Sequence, residues 1–152
     1  MQHVARSRPA FGFSLVEVLV ALVVMAVGLL GIAGLYVESL RAGRTSVYRS
    51  AAVTLASDLA DRIRSNPLGD YTGEGPGSNN GCVNGGVDCA PDALAQDDWF
   101  HWLGDVRRRL PAGATATVTV ENIPPVNQFV ITVAWPEVGQ EGPVSYTLAL
   151  QL

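Results

Sequence analysis

The chain predicts an α+β protein in which a long N-terminal helix, membrane-spanning in its first half, packs on a small antiparallel β-sheet with one short extra helix. Three observations carry this. Residues 13–36, FSLVEVLVALVVMAVGLLGIAGLY, are apolar or small almost throughout, with Glu17 as their only charge. A helical apolar stripe then continues to Ser65, and the C-terminal third changes to an alternating pattern with a period of two.

The first run is long enough to cross a bilayer. As a helix it extends about 36 Å, against a hydrocarbon core of about 30 Å. Before it stands MQHVARSRPAFG, which carries Arg6 and Arg8 and no acid, like the n-region of a secretory signal. An ordinary signal has a shorter apolar region and then a small-residue cleavage site, whereas this run ends at Tyr36-Val37-Glu38. The apolar segment is therefore expected to be retained. Arg41, Arg44 and Arg49 follow it as Arg6 and Arg8 precede it, so the distribution of positive charge does not orient it.

Beyond the run, Val47, Ala51, Leu55, Leu59 and Ile63 recur every four residues with Ala52, Ala56 and Ala60 beside them. Arg44, Arg49, Asp58, Asp61, Arg62 and Arg64 occupy the opposite face, and no proline intervenes before Asn66-Pro67. One helix over 13–66 is predicted, with 13–36 as its membrane and assembly half and 67–152 as a globular domain. Residues 67–91 are rich in Gly, Asn, Pro and Asp and read as a loop. Asp97 and Asp98 precede Trp99, Leu103, Val106 and Leu110, and Arg107, Arg108 and Arg109 come before Pro111. Acids first and bases last suit the dipole of a short helix. Three alternating runs follow: Val118 and Val120; Phe129, Ile131, Val133 and Trp135; and Val144, Tyr146, Leu148 and Leu150. Pro124-Pro125 and residues 139–143 separate them, so a β-meander is expected, covered by the stripe on the long helix.

Ten basic residues, all arginine, stand against 14 acidic ones, which leaves no electrostatic footprint for nucleic acid. Cys82 and Cys89 flank a Gly/Asn-rich stretch, where an exported loop favours a disulfide over two unpaired thiols. His3 and His101 are not spaced to complete a zinc site with them. No catalytic constellation, metal site or cofactor is expected, and His101, between Phe100 and Trp102, reads as a packed or surface residue. Trp99 and Trp102 read as core filling and helix docking rather than as a binding surface.

Glu17 stands out physically. A carboxylate within an apolar membrane segment costs about 2.5 to 3.5 kcal/mol at the bilayer centre and less near an interface, so something should compensate it. A helix-dipole role in the first turn is the plainer alternative. Gly28, Gly31 and Gly34 recur at threes and either permit close helix approach or are ordinary membrane-helix glycines.

Gly12-Phe13-Ser14-Leu15-Val16-Glu17, after a short basic leader and before a long apolar helix, resembles the processing signature of type IV prepilins and related pseudopilins. The resemblance implies a type IV pilin fold, removal of leader 1–12 by a prepilin peptidase cutting between Gly12 and Phe13, and N-methylation of Phe13 by the same enzyme. It also implies that Glu17 neutralises the N-terminus of a neighbouring subunit. Leu55 to Pro67, with its Asp-Leu-Ala-Asp-Arg, basic, Asn-Pro pattern, is similar to the PilV-type minor pilins. Implied partners are the peptidase, other minor pilins, the major pilin, the inner-membrane assembly platform and the lipid bilayer. The implied location is the inner membrane, with a periplasmic C-terminal domain, and then the pilus. The implied work is priming or modifying pili that serve adhesion and twitching motility. A type II secretion pseudopilin shares the same start, and a pilus-tip binding module built on the 67–91 loop is the other alternative.

Overall fold

The computed structural model describes residues 12–82, 87–123 and 126–152. Most of the expected leader (1–11), the middle of the cysteine loop (83–86) and the Pro124-Pro125 separator lie outside them. Five elements follow in order: α1 (Leu15–Ser65), α2 (Pro91–Arg109), β1 (Thr115–Ile123), β2 (Val126–Trp135) and β3 (Val144–Gln151). The chain divides into two units, Met1–Ala42 and Gly43–Leu152.

In the first unit, every described residue is exposed, the apolar half of α1 included. The carbonyl of Ser14 accepts the amides of Glu17 (3.1 Å) and Val18 (3.3 Å). The helix therefore starts at Leu15, two residues after the expected Phe13.

In the second unit, α1 from Gly43 onward buries Ala52, Leu55, Ala56, Leu59, Ala60 and Ile63, as the stripe predicts. Val47 departs from the expectation, being 64% exposed. A strict repeat of four drifts about 40° per step on a helix of 3.6 residues per turn, so the start of the row has rotated off the core face. Half-buried Tyr48 packs there instead.

The second helix begins at Pro91, well before the acid pair expected at its start. Pro91 lies in the first helical turn, where a missing N–H costs nothing, and Asp92 meets the positive end of the dipole. Asp97 and Asp98 are thus mid-helix and buried. The arginines do close the helix at Arg107–Arg109, and the amide of Leu110 bonds the carbonyl of Val106 at 2.9 Å.

Three contacts fix the direction of α2 on α1. Asn66 Nδ2 donates to the carbonyl of Pro91 (2.8 Å), Arg62 Nη1 to Asp98 (2.9 Å) and Trp102 Nε1 to the carbonyl of Leu55 (2.9 Å). Rising numbers on α2 meet falling numbers on α1, so the helices run antiparallel.

The strands form an antiparallel sheet in the order β1-β2-β3, a meander as predicted, with Val118 opposite Ile131 and Ile131 opposite Leu148. One face is polar and carries a row of Thr117, Thr132 and Thr147. The other contributes Ala116, Val118, Ile131, Val133, Trp135 and Leu150 to a single buried cluster with α1 and α2. The expected cover on the sheet is therefore shared between the long helix and α2.

The segment after α1, read as a loop only, is irregular but packed. Tyr71 is fully buried, and Gly73 exchanges two backbone hydrogen bonds with Val118 of β1. Gly77 has φ +72° and sits so close to α2 that an added Cβ would stand 2.2 Å from the carbonyl oxygen of Gln96. Only glycine lets this strap lie flat there. Its composition indicates an irregular backbone, and Tyr71, the one aromatic residue in 25, is the main local sign of burial.

Candidate functional site

The sequence-derived site residues fall into three groups. Gly12 and Phe13 precede α1 in non-helical backbone, with Phe13 81% exposed and open space around the position of a Gly12 Cβ. Such a backbone is accessible to an enzyme that must bind it extended. Glu17 lies exposed in the first turn of α1. Ser14 and Glu17 stand at the spacing of a capping box, in which a Glu at the third helical position faces the N-cap residue. The spacing is plain in the sequence and adds a capping role to the dipole and pairing roles expected of Glu17.

Gly28, Gly31 and Gly34 lie on the exposed apolar half of α1, where a Cβ would meet nothing within 4 Å. No packing among the described residues requires them to be glycine, although each costs a helix about 1 kcal/mol relative to alanine. α1 is long and apolar enough to cross a membrane.

In the globular unit, Cys82 and Cys89 are joined by a disulfide. Nearby, the carboxylate of Asp97, fully buried in α2, accepts the amides of Asn80 and Gly81 (3.0 Å for Gly81) and pins the strap beside that bridge. His101 Nε2 stands 3.6 Å from the other oxygen of Asp97. It lines an open groove of about 490 Å³ with Phe100, Arg107 and Arg108. Among the described residues, no group of three His, Cys, Asp or Glu is placed to hold a metal ion.

Asp98 is the centre of a second polar cluster. One of its oxygens accepts from Arg62 (2.9 Å) and the other from the Tyr71 hydroxyl (2.7 Å), while Asn66 Nδ2 lies 3.2 Å from that hydroxyl. Trp99 Nε1 donates to the carbonyl of Tyr71 at 3.0 Å. These bonds join α1, the strap and α2. The sequence places both acids at the head of the helix and gives them only a dipole role, yet Ala95, Asp98, Trp102 and Val106 follow the three- and four-residue spacing of one buried face.

The electrostatics follow from this packing. Burial, and then the Asp98 carboxylate as acceptor, push the Tyr71 phenol well above its ordinary range. Burial pulls the Arg62 guanidinium down, but Asp58 and Asp98 together outweigh it and hold it above its usual value. At the exposed start of the strap, bonds from the Thr72 hydroxyl and amide hold Asp70 below the usual carboxylate range.

The raised phenol gives a pH dependence with a definite sign. A group whose folded pKa exceeds its unfolded value adds stability that is fully present below the unfolded value, about 10 for tyrosine, and is lost as the pH rises beyond it. The unfolded chain then ionises Tyr71 freely, whereas the folded chain must place a phenolate beside Asp98. The melting temperature of the full chain in detergent is expected to fall above about pH 10, and Tyr71→Phe should remove that part of the fall. Identical alkaline profiles for the two proteins would count against this assignment.

Residues 7–33 match the prokaryotic N-terminal methylation motif, a stretch that contains Gly12, Phe13, Glu17, Gly28 and Gly31. No curated protein and no solved structure matches the chain. The motif, the apolar helix and the α+β plan together support a type IV pilin-like or pseudopilin-like protein anchored through its N-terminal helix.

Proposed function

We propose that this chain is a PilV-type minor pilin, made as a prepilin and built into a type IV pilus through the apolar half of α1. A prepilin peptidase cuts between Gly12 and Phe13 and methylates the new Phe13 amine; that chemistry belongs to the peptidase, and the chain itself is not an enzyme. Before assembly the protein sits in the inner membrane with residues 43–152 in the periplasm. The assembly platform then moves it into the filament beside other minor pilins and the major pilin, where it primes or modifies pili used for adhesion and twitching motility. Gly28, Gly31 and Gly34 give neighbouring helices room to approach.

The observation that carries this reading is Glu17, a lone, exposed carboxylate in the first turn of an apolar helix, five residues into the processed chain. A cut after Gly12 creates a cationic terminus, and pairing Glu17 with that terminus on a neighbour offsets the cost of placing each charge away from water.

The Asp58-to-Pro67 ending of α1 and its continuation favour the pilus over the second reading, a type II secretion pseudopilin. N-terminal mass spectrometry of the protein from sheared pili is expected to find N-methylated Phe13 as the first residue. A cellular product that begins only at Met1 would overturn both readings, and a processed chain that fractionates with a secretion apparatus would select the second.

A further inference from the structure

We propose that the end of the globular unit at which the chain enters, around Gly43, is a docking face for anionic phospholipid headgroups while the protein is held in the membrane. The inference deepens the membrane-anchored reading above and rests on it.

The antiparallel course of α2 generates this face. Because Pro91 meets Asn66 and Trp102 meets Leu55, the C-terminus of α2 returns toward the N-terminal part of the unit. Arg109 lines a cleft between the two helices with Thr54, Asp58, Arg62 and Asp105. Arg107, Arg108 and Arg109 are all exposed, as are Arg44 and Arg49 on α1. Five of the unit's seven arginines thus lie on the parts of α1 and α2 nearer the entry end.

Their partners separate this end from the rest of the unit. Arg62 pairs with Asp58 and Asp98, and Arg64 with Asp61, toward the opposite end. At the entry end Arg108 pairs with Asp105. Arg44, Arg49, Arg107 and Arg109 form no ion pair with an acid among the described residues. The acids facing them are Asp58 and Asp105, which share a cleft with Arg109, and Glu137, whose carboxylate accepts from the Thr45 hydroxyl beside Arg44. Most other acids of the unit, including Asp61, Asp70, Asp92, Asp97 and Asp98, lie toward the far end of α1, in the strap or in the first half of α2.

A chain with a formal charge of −4 therefore carries a cationic end on an otherwise acidic unit. Arg44 follows Tyr36, the end of the apolar run, by only eight residues, so covalent connection keeps this end close to a bilayer surface. Arginine also suits the ligand, since its planar fork binds phosphate oxygens in pairs. The attraction decays within about 10 Å at ordinary salt, which makes it specific to the tethered state.

The test uses the full chain in nanodiscs that contain a headgroup-attached spin label, made either of phosphatidylcholine or of phosphatidylcholine with phosphatidylglycerol. Amide signals of Arg107–Leu110 and of Arg44–Arg49 are expected to broaden several-fold more in the anionic discs. The excess should vanish in about 0.5 M salt. It should also vanish in an Arg107→Glu/Arg108→Glu/Arg109→Glu variant whose remaining spectrum is unchanged. Insertion without any dependence on lipid charge would overturn the proposal. So would broadening that disappears at one chain per disc, which would assign the arginines to the acidic end of a second copy. Failure to enter either disc would instead overturn the membrane reading itself.

Discussion

Glu17→Ala is expected to leave the cut after Gly12 and the methylation of Phe13 intact while lowering the amount of protein in sheared pili by about a hundredfold. The magnitude follows from removing one member of a charge pair shielded from water, which costs about 3 kcal/mol or more, at about 1.4 kcal/mol per tenfold change. The processed Phe13 amine then has no carboxylate to meet in the helical bundle. Glu17→Asp, with a shorter reach, should recover part of the loss. Glu17→Gln separates the alternatives, because it keeps a polar group at the capping-box position and removes only the charge. If Glu17→Gln assembles at the parental level, capping rather than charge pairing explains the residue. If Glu17→Ala itself appears in normal quantity, the proposed assembly role fails. Immunoblots of sheared pili, with membrane fractions scored for processing, read both quantities.

Asp98→Ala is expected to be the most destabilising single change in the globular unit. Asp98 is 6% exposed and is the acceptor for both Arg62 and the fully buried Tyr71. Its loss takes from the buried Tyr71 hydroxyl its short acceptor, leaving the Asn66 amide and a 3.5 Å contact to the Arg62 carbonyl, and removes one of the two carboxylates around Arg62; removing one partner from a buried pair costs about 3 to 5 kcal/mol. Arg62 keeps Asp58, which moderates the loss toward about 3 kcal/mol, and the melting temperature should fall by roughly 10 to 20 °C. Asp98→Asn should cost less, since it still accepts from Tyr71. Asp58→Ala, which breaks an exposed pair one turn apart, should cost about 0.5 kcal/mol or less. Near-UV circular dichroism melts of the full chain in detergent can rank the three variants. An Asp98→Ala melt within a degree or two of the parent would show that the cluster contributes little.

Much of the architecture was legible without coordinates, for reasons that differ by element. The apolar run from Phe13 to Tyr36 and the alternation at Phe129, Ile131, Val133 and Trp135 are single-period patterns with one physical meaning each. A lone acid in such a run, preceded by Gly12-Phe13, likewise carries its information in order and spacing. Local patterns were less reliable at edges. Pro91, at the head of α2, fell within the 67–91 stretch expected to be a loop, because proline's restriction on a chain is the same whether it ends one element or starts another. Val47 fitted a row of fours whose drift becomes visible only over several turns.

What the sequence determined by itself is the division of labour: an apolar N-terminal helix with its processing signature, an amphipathic continuation, a cysteine-closed irregular stretch and a three-stranded meander. These rest on interactions between residues near in sequence or on simple periodic burial. Only the tertiary structure decided that Asp98 joins Arg62 to Tyr71, that Asp97 holds the strap, and that the arginines ending α2 return to the end where the chain enters the globular unit. Each depends on the antiparallel packing of α2 against α1, which juxtaposes residues up to 47 positions apart. No local preference encodes such a pairing; it arises because the apolar faces of both helices and the sheet are buried most fully together.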